Sequence, residues 1–177
     1  MIPFILALNL AFAEPPTCPQ DRLAPLEAPE DRMAVAWIGR WNTTPRGSVT
    51  VVSAMDLRDW LAAQNPRWTG RLLQWVGRRS QDTDPKGRWQ VRIYEVDSTE
   101  LCRPVPSVEQ GVMVGGLPVC AKSKARPFRR SDGCGRALDR KTGQLGPEQF
   151  VMRVSDVKDR GYCVLPLERY VDEVTEN

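Results

Sequence analysis

Four of the chain's five cysteines, Cys102, Cys120, Cys134 and Cys163, crowd into its second half, and no histidine accompanies them. Sulfur so placed either locks a fold or does chemistry, and the redox compartment decides which. The first thirteen residues are apolar, bear no charged side chain and close on Ala11-Phe12-Ala13, just before Glu14-Pro15-Pro16. A short apolar run ending in a small-x-small site is the pattern of a cleaved export signal. It falls short of the roughly 20 residues that span a bilayer. Residues 1–13 are therefore read as a signal peptide, and the mature chain as periplasmic or secreted. There the cysteines pair. Cys102–Cys120 and Cys134–Cys163 each close a modest loop and are favoured among the three possible pairings. Cys18 is left over, either free or joined to another chain, and it stands too far past the cleavage site to carry a lipid anchor.

The missing histidine narrows the chemistry further. It removes the usual general base and the commonest metal ligand. The cysteines show no C-x-x-C spacing, so a structural zinc site is not expected. No glycine-rich phosphate loop, dinucleotide fingerprint or haem-attachment motif is present. No cofactor and no metal are expected.

Residues 14–32 hold Pro15, Pro16, Pro19, Pro25 and Pro29 among acidic residues, a composition that opposes regular structure and reads as an extended leader. A single domain is expected over 33–177. Met33–Trp41 and Ser48–Ser53 are strand-like runs around a Pro/Gly-bearing loop, which predicts a hairpin. Ser53-Ala-Met-Asp56 opens a helix whose apolar face is Leu57, Trp60 and Leu61 and which ends before Asn65-Pro66. The run 68–78 fits either a helix or a strand. Trp89–Val96 alternates as a strand, with Trp89, Val91 and Ile93 on one face. Two short strands flank Gly115-Gly116, residues 122–147 read as a loop, and Phe150, Met152 and Val154 alternate as a strand. Pro166 suits the first turn of a closing helix with a Leu167, Tyr170, Val171, Val174 stripe. Strands outnumber helices without a βαβ rhythm. The fold class is α+β, a mainly antiparallel sheet with one or two short helices and a disulfide-stapled C-terminal half. The six tryptophans, all between 37 and 89, are expected to fill the core, with Trp68 the most exposed.

The strongest binding signal is charge. Lys122, Lys124, Arg126, Arg129, Arg130, Arg136, Arg140 and Lys141 face only Asp132 and Asp139, a net +6 over residues 122–141. Clustered cations raise the local concentration of polyanions and speed their capture. Lys122, Lys124, Arg126, Arg129, Arg130 and Arg136 are the candidate contact residues. The competing assignment sets these cations against the chain's own acidic ends, net −4 over 14–31 and net −3 over 148–177.

One segment points elsewhere. Ser131-Asp132-Gly133-Cys134-Gly135-Arg136 resembles the nucleophile segment of the L,D-transpeptidases, exported enzymes that cross-link peptidoglycan through a cysteine thiolate. The resemblance implies Cys134 as nucleophile, but Asp132 stands where that family has histidine. No histidine is present upstream to activate the thiol, and the flanking Arg130 and Arg136 could lower its pKa but cannot accept its proton. The expected function is thus a non-enzymatic, envelope-associated binding or accessory protein that meets an anionic envelope component or an acidic protein partner. Nucleic acid is disfavoured as a partner. The alternative is a degenerate transpeptidase-like enzyme centred on Cys134.

Overall fold

The computed structural model describes residues 30–41, 43–63, 89–121, 132–138, 143, 145–157 and 161–175. The signal segment, most of the leader, Cys18 and the 68–78 run lie outside them. Arg32–Arg40 (β1) and Ser48–Ser53 (β2) pair antiparallel, with Val35 opposite Ser53 and Ala36 opposite Val52. The Pro/Gly-bearing connection therefore makes the hairpin that the sequence implies. Gln90 secures it from the neighbouring strand, donating its side-chain amide to the carbonyls of Arg40 and Thr43, each at 2.7 Å.

Helix α1 (Ala54–Ala63) leaves β2 without a linker. Ser53 Oγ accepts the Asp56 amide at 3.2 Å, satisfying one of the first-turn donors that a helix cannot use internally. Strand β3 (Trp89–Asp97) pairs with β1 along its whole length, Arg32 to Asp97 through Arg40 to Trp89. Leu101–Cys102 (β4) follows one 3-10 turn later. Met113–Val114 (β5) and Leu117–Pro118 (β6) form a separate two-stranded hairpin. Arg136–Leu138 (β7) and Leu145–Arg153 (β8) come next, then the short helix α2 (Val154–Val157), strand β9 (Gly161–Pro166) and helix α3 (Leu167–Thr175).

These strands build one seven-stranded antiparallel sheet in the order β4-β8-β2-β1-β3-β9, with β7 also pairing with β8. The class is α+β, as the strand-rich pattern requires. Two stretches differ from expectation. Residues 136–138 and 145–147, read as loop for their glycines and polar side chains, are strand. Gly161–Pro166 is the strand β9, so Pro166 ends a strand and the helix begins at Leu167.

Strand alternation divides the core in two. Ala36, Ile38, Val52, Trp89, Val91 and Ile93 face α1 and α3, where Leu57, Leu61, Leu167 and Val171 meet them. The stripe Leu167, Tyr170 and Val171 thus packs as its spacing predicts, while Val174's side chain lies outside the description. On the opposite face Val35, Trp37, Val51, Tyr94, Val96, Phe150 and Met152 bury against Leu101, Leu117 and the α2 residues Val154 and Val157. Trp89 and Trp37 therefore serve opposite faces, at 5% and 8% exposure. Gly39 is required beneath Trp37, because a Cβ there would overlap the indole ring. Trp41 and Trp60 are half-buried, and Trp68 lies outside the described residues.

Candidate functional site

The polar chemistry of the described chain gathers at one edge of the sheet, where β4 and β7 lie in tandem against β8. Arg103, just past β4, is fully buried. Its guanidinium donates to Glu148 Oε2 at 3.0 Å and to the Gly115 carbonyl at 3.1 Å. The same group lies over the Phe150 ring, 5.3 Å from its centre. The other oxygen of Glu148, on β8, accepts from the Arg136 guanidinium of β7 at 3.2 Å. One carboxylate therefore bridges two arginines from separate segments. Its backbone amide donates to Asp56 Oδ2 of α1 at 3.1 Å, which brings a fourth element to the cluster.

Asp56 carries a raised pKa. Burial is the main cause, with repulsion from Glu148 and Asp59 adding to it, while the Glu148 amide and the Arg136 charge pull the other way. A carboxyl raised in the folded state favours folding most when protonated. That contribution is complete below the ordinary value of 3.8 and is lost as pH rises through the raised value. Ionised Asp56 is thus a cost at neutral pH, tolerated for the amide it accepts.

Beside this network Asp132 organises the glycine-rich turn. Its Oδ1 accepts the amides of Cys134 at 2.7 Å and Arg136 at 3.0 Å, while its own amide donates to the Arg136 carbonyl. Gly133 and Gly135 adopt φ of 79° and 92°, the left-handed region that non-glycine residues avoid. The resemblance to a transpeptidase nucleophile segment thus falls on a tight, side-chain-capped turn. Asp132 holds the turn's shape and sets no proton relay. Cys134 is 1% exposed and already disulfide-bonded, so its sulfur is no thiolate.

The favoured pairing is half corrected. Cys102 and Cys120 are joined, with Cα atoms 5.0 Å apart. Cys163 is instead a free, half-buried thiol on β9, its pKa raised chiefly by burial. A Cys134–Cys163 bond is ruled out by topology. Cys134 precedes β7 at one edge of the sheet and Cys163 stands on β9 at the other. At about 4.8 Å per strand spacing, the steps from β7 across β8, β2, β1 and β3 to β9 put the two roughly 24 Å apart. A bridge needs Cα atoms within about 7 Å.

Of the candidate contact residues, Lys122, Lys124, Arg126, Arg129 and Arg130 lie outside the described residues. Arg136 is about one-third exposed, and its charge is engaged by Glu148. The buried network around Arg103 and Glu148 was not legible as a site, because a pair 45 residues apart leaves no local pattern. Among the described residues no group of three or more cysteine or acidic side chains could hold a metal, and no helix is long and apolar enough to cross a membrane. No family model, curated protein or solved structure matches this chain.

Gln149, next to Glu148, is fully buried, and its side-chain amide has no hydrogen-bond partner among the described residues. It stands opposite Val52 and so faces the helices. Replacing it with methionine keeps the length and removes an unpaired polar group. Gln149→Met should raise stability by about 1 kcal/mol in urea unfolding. Equal or lower stability would show that the amide has a bonding partner in solution.

Proposed function

We propose that this chain is an exported, non-enzymatic accessory protein that meets an anionic partner of the cell envelope through the basic stretch 122–130. The observation that carries this reading is how the stretch is framed. Its five cations have no acidic neighbour in sequence between Ala121 and Ser131. Cys120, two residues before it, is secured twice, being bonded to Cys102 and donating its amide to the Arg103 carbonyl at 2.9 Å. Asp132, two residues after it, is the capping group of the 132–136 turn. Both ends of a concentrated positive charge are thus fixed to the same sheet edge. Export is supported by the apolar N-terminal run and agrees with the Cys102–Cys120 bond, a linkage that persists in oxidising compartments.

Binding of the mature chain to a soluble polyanion such as poly-glutamate should be measurable at low ionic strength. It should weaken steeply as salt rises, because at 0.1 M salt exposed charges more than about 10 Å apart are largely screened from one another. The variant Arg126→Ser/Arg129→Ser/Arg130→Ser should lose most of it. Undiminished binding by that variant would remove the reading.

A further inference from the structure

We infer that Cys134 is bonded to Cys18, so that a disulfide ties the leader of the processed chain to the glycine-rich turn before β7. Cys18 lies outside the described residues, and its partner follows from the state of the other four cysteines. Cys134 is disulfide-bonded. Within one chain its partner must be Cys18, Cys102, Cys120 or Cys163. Cys102 and Cys120 hold each other, and Cys163 is a free thiol. Cys18 alone remains. The odd cysteine of the chain is therefore Cys163, and Cys18 is neither free nor the link to a second copy.

The turn suits a lasting bond. Asp132, Gly133, Cys134 and Gly135 are all buried, although they lead into β7 at the margin of the sheet. Asp132 Oδ1 accepts the Cys134 amide, and the Gln149 amide donates to the Gly135 carbonyl, each at 2.7 Å. The backbone that carries the sulfur is thus fixed to β8. Thiol–disulfide exchange needs a thiolate to reach a sulfur, and Cys134 is 1% exposed. Forming the bond oxidises two thiols. The thiolate of one cysteine attacks an exported protein disulfide, and the thiolate of the other displaces the mixed disulfide. Two protons leave the thiols, two electrons pass to the oxidant, and it departs as a dithiol. The inference therefore rests on the export half of the proposed function, since such an oxidant acts outside the reducing cytoplasm.

Tryptic digestion of the exported chain, denatured and alkylated without reductant, tests the pairing. Cleavage after Arg22, Arg130 and Arg136 leaves Cys18 on Glu14–Arg22 of the processed chain and Cys134 on Ser131–Arg136. Pro104 blocks cleavage after Arg103, so Cys102 and Cys120 stay together on Ile93–Lys122, and Cys163 falls on Gly161–Arg169. The expected result is one linked pair, Glu14–Arg22 with Ser131–Arg136, which separates on reduction, beside an alkylated Gly161–Arg169. A link from Ser131–Arg136 to Gly161–Arg169, two joined copies of Glu14–Arg22, or an alkylated Cys134 beside an intact Cys102–Cys120 bond would overturn the pairing while the proposed function stands. Alkylation of all five cysteines would remove both the pairing and export.

Discussion

Replacing Glu148 with alanine is expected to destabilise the fold by about 3–5 kcal/mol, the largest single-residue effect anticipated for this chain. The magnitude follows from what the carboxylate faces. Arg103 is fully buried, and its Glu148 contact at 3.0 Å neutralises a charge that cannot return to water without unfolding. Arg136 is about one-third exposed and resolvates readily, so its share of the loss is small. A partial offset comes from Asp56, whose raised pKa owes something to repulsion from Glu148. Urea unfolding of Glu148→Ala and of the double variant Arg103→Met/Glu148→Leu separates the charge penalty from packing. The double variant should recover most of the lost stability, because a buried ion pair exchanged for apolar side chains of similar volume is near neutral. Equal losses in both would mean that Arg103 is held by its Gly115 and Phe150 contacts, with the carboxylate incidental.

That network marks where the sequence stops being informative. Trp89–Asp97 was readable because its alternation is local, and α1 because Leu57, Trp60 and Leu61 repeat at helical spacing beside a capping Ser53. Strand β8 begins Leu-Gly-Pro-Glu-Gln, a polar opening that resembles a turn. It is strand because Arg103, Arg136 and the Asp56 carboxyl satisfy the carboxylate and amide of Glu148 from elsewhere in the chain. Strand β7 has three residues and exists only as a partner of β8. In both, tertiary contacts overrule local preference.

The Cys134–Cys163 half of the cysteine pairing failed for a related reason. Loop length favoured Cys134–Cys163, but strand order sets distance, and β7 and β9 occupy opposite edges of the sheet. The glycine-rich turn around Cys134 showed its residues plainly and its purpose poorly. Asp132 in place of histidine marks a backbone cap, and that assignment needed the two amides it accepts. The exposure of Val112 and Met113 was equally hidden, since such residues at the start of a short strand look like core until Val114 and Leu117 fix the alternation.

Removing the other strong constraint, through Cys102→Ala/Cys120→Ala, should cost about 3 kcal/mol. The bond spans a sequence separation of 18. In the chain-entropy account, opening a loop of that size returns this much freedom to the unfolded chain. For a domain of this size the loss corresponds to a fall in melting temperature of roughly 6–12 °C. The native hairpin should survive it at room temperature, because the Arg103 amide still reaches Pro118 and the Cys120 amide still reaches Arg103. Leu117 remains buried against the Phe150 side of the sheet as well. Hydrogen exchange tests that division of labour. Protection of the Val119 and Cys120 amides in the variant should fall only in step with global stability. Selective loss of protection there, with the rest of the sheet unchanged, would show that the disulfide holds the hairpin in the folded state, and its stabilising effect would then have to be assigned to native contacts instead of the unfolded chain.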